Sequence, residues 1–264
     1  MSTPRLPTEL LDHIVDLLHD TRCALQNCCL VSKSWLPRTR RHLFASIEFD
    51  TEAYLESWKK TFPDPSTSPA CYTTTLDVRC SHVVTAEDAE VGGWIRGLSP
   101  VVHLAVGNNL DSGGESKISF IPFYGLSPTV ISLRTYFIDL PPPRVLDLAL
   151  SFPLLEDLTV SSFFGPYPSD GDCSDGVSGD VCPVNSPVFT GSLKLSRGGV
   201  KRTARRLVSL PGGIHFRKLY LTQFHQEDLS MIKGLVKGCS HTLESLDVDC
   251  DLGSMSVWYL RPYR

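Results

Sequence analysis

The chain has 264 residues, 42% of them hydrophobic and 20% charged, with a formal net charge of -4. These values exclude a disordered tail and give no general electrostatic reason for a nucleic-acid partner. No uninterrupted apolar run approaches the ~20 residues that span a bilayer. The opening residues carry one arginine and run into an amphipathic segment with Glu9 and Asp12, which is not the pattern of a secretory signal. Nine cysteines stand at 23, 28, 29, 71, 80, 173, 182, 239 and 250, with no CxxC pair and no zinc-like spacing. An odd count without a secretion signal points to a reducing cytosol or nucleus, with Cys28 and Cys29 expected as buried thiols in a helix.

The first element is a helix. Pro7 stands where a helix starts, a position that tolerates its missing N–H, and Glu9 follows in the first turn, where the helix dipole favours it. Two apolar stripes run along this helix at i, i+4, i+7: Leu10, Ile14, Leu17 and Leu11, Val15, Leu18. One stripe serves a helix's own core, so two imply two apolar neighbours. Asp20 or Thr21 opens a second helix with Leu25, Cys28, Cys29 and Leu30, and Pro37 interrupts before the basic residues Arg38, Arg40 and Arg41. About 40 residues of helix rarely bury enough surface to stand alone. Part of this apolar surface is expected to meet another element or a partner.

The residues Leu6-Pro7-Thr8-Glu9-Leu10-Leu11, Ile14, the leucine pair 17/18 and Cys29-Leu30-Val31-Ser32-Lys33-Ser34-Trp35 resemble the F-box motif from end to end. The match covers about 40 residues. Cys28 and Cys29 depart from it mildly, standing where alanine or another apolar residue is usual. The resemblance implies a three-helix module that binds the Skp-type adaptor of cullin-RING ubiquitin ligases while the downstream domain recruits substrate. By position it assigns adaptor contact or bracing to Leu6, Pro7, Leu10, Ile14, Leu17, Leu18, Leu30, Val31 and Trp35. Leu18, Leu25 and Trp35 are read equally well as internal core.

Downstream, a pattern of apolar-x-x-Leu-x-apolar recurs. It reads Val101-x-x-Leu104-x-Val106, Leu155-x-x-Leu158-x-Val160, Phe216-x-x-Leu219-x-Leu221 and Leu243-x-x-Leu246-x-Val248. Weaker copies start at Thr73, Val130 and Thr190, and Ile47-Glu48-Phe49 looks like an opening strand. From Ile47 through the central leucines the steps are 29, 28, 29, 25, 35, 26 and 27 residues, close to the ~20–29 of a strand-plus-helix leucine-rich repeat. The Leu-x-Leu alternation puts two side chains on one face of each strand, which predicts a parallel sheet with one strand per coil. Helical spacing fills the intervals: Leu55, Trp58 and Phe62 after an N-cap at Thr51; Val91, Trp94, Ile95 and Leu98 after Thr85 and Asp88; Val145, Leu148, Ala149 and Phe152; Ile232, Leu235, Val236 and Cys239. Proline marks the exits at Ser99-Pro100, Ser127-Pro128 and Phe152-Pro153. The interval 112–126 resists a helix because Gly113, Gly114 and Pro122 interrupt it. No asparagine ladder is present. The pattern is similar to that of repeat-bearing fungal F-box proteins.

Other constellations carry less. Asp170, Asp172, Asp175 and Asp180 lie in the Gly-, Ser- and Pro-rich stretch 165–187, out of register for a calcium loop, and read as a flexible acidic insertion in the longest step. Arg197, Lys201, Arg202, Arg205 and Arg206 form a basic cluster beside the apolar residues Ala204, Leu207 and Val208, read as the solvated side of a helix. Lys201, Arg202, Arg205 and Arg206 are also candidates for contact with an acidic or phosphate-bearing substrate. The histidines are scattered, His103 and the carboxylate Asp77 are read as surface residues of strands, and no GxSxG, HExxH or phosphate-cradling loop occurs.

The expectation is therefore an α/β protein: an F-box over 1–45, then an open leucine-rich-repeat-like solenoid over 46–264. Its partners are a Skp-type adaptor, through it cullin and RING subunits, and a protein substrate, with no cofactor, metal, nucleic acid or membrane. The alternative is a scaffold that uses the adaptor without directing ubiquitination. The chain stops soon after its last strand copy, at Trp258-Tyr259-Leu260-Arg261, where a solenoid needs a polar cap, so a truncated or partner-capped end is expected.

Overall fold

Alternation builds the sheet. Two apolar side chains one residue apart point to the same face of a strand, and the residue between them points to the other. A computed structural model of the chain describes residues 7–79, 89–98, 101–107, 121–126, 129–136, 142–161, 189–196, 200–210, 212–224 and 228–250. Over them run eight strands: β1 (Ser46–Phe49), β2 (Thr75–Val78), β3 (His103–Gly107), β4 (Ser132–Tyr136), β5 (Asp157–Ser161), β6 (Ser192–Ser196), β7 (Lys218–Phe224) and β8 (Ser245–Cys250). All pair in parallel, in chain order, in one open sheet.

The register places Ile47, Leu76, Leu104, Leu133, Leu158, Leu193, Leu219 and Leu246 side by side as one row across all eight strands. Two residues on, Phe49, Val78, Val106, Thr135, Val160, Leu195, Leu221 and Val248 form a second row on the same face. These rows join one hydrophobic core with the apolar faces of the crossover helices. Thr135 is the polar member, buried with its hydroxyl directed at the Thr159 carbonyl, 3.5 Å away.

The described residues hold eight α-helices. Three precede the sheet: α1 (Thr8–Leu17), α2 (Arg22–Val31) and α3 (Leu36–Leu43). Five lie in the crossovers: α4 (Glu52–Thr61), α5 (Ala89–Arg96), α6 (Pro142–Leu150), α7 (Val200–Val208) and α8 (Leu229–Gly238). The apolar stripes foreseen for them face inward: Leu55, Ile95, Leu98, Leu148, Ala149, Phe152, Leu235 and Cys239 are buried. Thr51 caps α4, its hydroxyl accepting from the Tyr54 N–H at 3.3 Å. No helix among the described residues is long and apolar enough to cross a membrane.

A main-chain ladder joins the units where each strand begins. The carbonyl of Ala45 accepts from the N–H groups of Thr74 (2.8 Å) and Thr75 (2.9 Å). The same fork repeats at Thr74, Val102, Ile131, Gly191 and Arg217, each toward the next strand. At Glu156 the approach is closest: a Cβ on Gly191 would stand 2.0 Å from the Glu156 carbonyl oxygen, so only glycine fits there.

Four expectations change. Pro37 does not interrupt a helix but occupies the first turn of α3, where its missing N–H is not needed. The interval 112–126 carries a 3-10 turn at Ile121–Leu126 that buries Phe123 and Leu126. In the sixth copy Phe189, not Thr190, fills the core and stacks on Phe216 with ring centroids 5.5 Å apart; Thr190 is exposed. On α7, Ala204 and Leu207 are buried but Val208 is 41% exposed, because the helix turns Thr203 inward instead. Leu6, Thr85 with Asp88, Ser99-Pro100, Ser127-Pro128, Arg197, the insertion 165–187 and the end at 258–261 lie outside the described residues.

Candidate functional site

Helices α1 and α2 both pack on α3. An ion cluster fixes the first of these contacts. The Asp16 carboxylate on α1 accepts from Arg38 Nε at 2.6 Å and Nη2 at 2.5 Å, and the ring of His42 meets it at 2.7 Å. The Arg38 hydrogen bonds, followed by that of His42, hold the Asp16 carboxyl well below the usual carboxylate range. With its orientation set, α1 turns Val15 fully inward, with Leu11 and Leu18 half-buried beside it. The opposite stripe is left outside: Leu10 is 51% exposed, Ile14 39% and Leu17 70%. On α2, Leu25 and Cys28 are buried while Leu30 (86%) and Val31 (66%) at its end stand in solvent. Among the described residues ten large apolar side chains are exposed, and these five, all between positions 10 and 31, are half of them. Such a concentration marks an interaction surface better than scattered single residues do.

The rest of the module ties this surface to the sheet. Trp35 is half-buried and sits before α3, its carbonyl accepting from the Thr39 hydroxyl at 2.8 Å. Phe44 meets Trp58 edge-on at 6.1 Å, and Trp58 in turn meets Phe49 at 5.9 Å. The Thr73 hydroxyl donates to the Phe44 carbonyl at 3.1 Å, and Trp94 Nε1 donates to the Phe62 carbonyl at 2.8 Å. An aromatic hinge point with paired polar atoms thus joins the helices to the first units of the sheet.

No protein-family model, curated protein or solved structure matches the chain.

Of the residues assigned to adaptor contact, Pro7, Leu10, Ile14, Leu17, Leu30 and Val31 are exposed, while Leu18 and Trp35 are half-buried braces. Leu6 lies outside the described residues. The basic candidates lie on α7: Lys201 and Arg202 near its start, Arg205 exposed and Arg206 half-buried near its end. The helix packs on α6 and α8, away from the three-helix module. Cys23, Cys28, Cys29, Cys71 and Cys239 are free thiols. Cys28 is buried as expected, whereas Cys29 is only half-buried; burial pushes the Cys29 and Cys239 thiols up, which suits inert structural thiols. Among the described residues no group of three His, Cys, Asp or Glu side chains is placed to hold a metal.

The open face of the sheet holds a network that sequence inspection misses. Asp77 is not a simple surface residue: its side chain is 18% exposed and is tied to Arg79, whose Nη2 donates to it at 2.7 Å. Arg79 also reaches Glu48 through Nη1 (2.6 Å) and donates through Nε to the Tyr136 hydroxyl (2.6 Å). The Tyr136 hydroxyl donates in turn to Asp77. Tyr136 comes from β4 and Asp77 from β2, so the phenol ring must cross β3. It does so over Gly107, where a Cβ would stand 2.5 Å from the ring. Burial, and then the bond to Asp77, push the Tyr136 hydroxyl well above its ordinary range. The only sequence signal was Gly107, paired with Tyr136 in the sheet register and legible once that pairing was known.

Proposed function

We propose that the chain is an F-box adaptor of a cullin-RING ubiquitin ligase. In this reading residues 1–45 dock on the Skp-type adaptor, and residues 46–264 form a leucine-rich-repeat-like solenoid that holds a protein substrate. The observation that carries the proposal is the outward stripe Leu10, Ile14, Leu17 together with exposed Leu30 and Val31. These residues belong to the segment that resembles the F-box motif, and their own three-helix module has no use for them. The ion cluster at Asp16 supports it by fixing which stripe of α1 faces out. Cytosol and nucleus are the compartments that fit such a partner. The chain performs no chemistry of its own here; ubiquitin transfer belongs to other subunits, and the solenoid's part is to hold the substrate within their reach.

The test is co-expression of the full chain with a Skp-type adaptor, followed by size-exclusion chromatography and addition of cullin and RING subunits. A stable complex that takes up cullin and RING is expected. An adaptor that elutes separately at micromolar concentration refutes the assignment. A complex that binds the adaptor but excludes cullin makes the chain a scaffold instead.

A further inference from the structure

The strand residues that alternate with the buried rows make up the open face of the sheet. Its central row reads Glu48, Asp77, Ala105, Arg134, Thr159, Lys194, Tyr220 and Asp247 in register. Charge along this row is not mixed but segregated. At the β1–β2 end the carboxylates Glu48 and Asp77 are already taken by Arg79. At the β8 end stand Asp247 and Asp249. Between them lie the cations Arg134, Lys194 and, one strand on, Lys218, all exposed. Among the described residues none of the three has a carboxylate within 4.0 Å, whereas Arg38, Lys59 and Arg79 are all paired. Asp157, on β5 of the same face, accepts a hydrogen bond from the Ser192 hydroxyl. Thr159, the Ser161–Ser196 hydroxyl pair (2.7 Å) and half-buried Tyr220 floor the space between them.

We infer that this face, over β4 to β7, binds an extended acidic peptide segment of a partner protein. Charge complementarity names the partner's chemistry and the register names its spacing. Arg134 and Lys194 are two strands apart, about 10 Å at the usual strand separation. A peptide in the extended polyproline II conformation advances about 3.1 Å per residue and returns to the same face every third residue, so carboxylates three residues apart meet both cations when the peptide lies across the strands. The acidic residues at either end of the sheet bound the patch and repel a long uniform polyanion, which disfavours nucleic acid. This binding stands without the adaptor proposal; only the further step, that the acidic segment is how a ligase substrate is held, rests on it.

The experiment uses the full chain and no adaptor. A fluorescein-labelled peptide with glutamates three residues apart, and the same peptide with glutamines, are titrated by anisotropy at low and at physiological salt. The glutamate peptide is expected to bind with an affinity that falls as salt rises, and the glutamine peptide at least ten-fold more weakly. Arg134→Glu with Lys194→Glu is expected to lower affinity ten-fold or more, while Lys60→Glu, exposed on α4, leaves it unchanged. All these positions are exposed, and unchanged melting temperatures show that the variants fold. Equal binding of both peptides, no binding of either, or equal loss with Lys60→Glu overturns the inference. So does a single-stranded oligonucleotide that binds more tightly through the same two cations.

Discussion

Truncating Leu17 and Leu30 to alanine separates docking from folding. Both leucines are largely in solvent, 70% and 86% exposed, so the folded chain gains little from them. Complete burial of a leucine is worth about 1.5–3 kcal/mol. The fraction still unburied on each therefore leaves about 1–2.5 kcal/mol for a partner to collect. Alanine keeps only the Cβ, so each substitution is expected to weaken adaptor binding about 5–30-fold, and the pair about 30-fold or more if the sites act independently. Folding stability should move by no more than about 0.5 kcal/mol, as for surface substitutions generally. Val15→Ala is the mirror image: Val15 is 1% exposed, and its truncation is expected to cost about 2 kcal/mol of folding free energy through lost contacts and a residual cavity. Calorimetric titration of a Skp-type adaptor reads the first quantity and chemical denaturation the second. Unchanged affinity in the Leu17→Ala, Leu30→Ala chain would refute the docking assignment, and so would a loss of affinity that merely tracks a loss of folded protein.

Further expectations rest on single contacts. Gly191→Ala sets a methyl against the Glu156 backbone, 2.0 Å from its oxygen and 2.6 Å from its carbonyl carbon; a loss of about 1–3 kcal/mol is expected from such overpacking, and a melting temperature within a degree of the parent would contradict it. Tyr136→Phe removes a hydroxyl that accepts from Arg79 and donates to Asp77, for an expected loss of about 1–2 kcal/mol. Because the Tyr136 hydroxyl ionises above its ordinary range, its contribution is full below about pH 10 and is lost as pH rises further. The phenylalanine variant should thus show a shallower alkaline loss in denaturant midpoints, and parallel curves would count against the network. Asp16 behaves oppositely: its carboxyl is held low, so its contribution is complete above about pH 4 and lost as pH falls below that. Asp16→Asn is expected to flatten the acid limb of stability, and identical acid limbs for variant and parent would show the cluster with Arg38 and His42 to be idle.

The sequence by itself determined the sheet. A strand buried on one face writes its register locally, as Leu-x-Leu, and a near-constant step between copies leaves one way to stack them, so the row from Ile47 to Leu246 is legible in the residues alone. It also determined that α1 has two apolar stripes. Tertiary structure decided which stripe is spare, because that depends on how α1 sits on α3, and Asp16 finds Arg38 and His42 from 22 and 26 residues away. Only packing could decide that Phe189 replaces Thr190 in the core, since one residue of shift after a long step leaves no periodic trace. Tyr136 reaching Asp77 across 59 residues was hidden for the same kind of reason: that contact depends on a missing side chain at Gly107, on a third strand, and no spacing along the chain records what an intervening strand lacks.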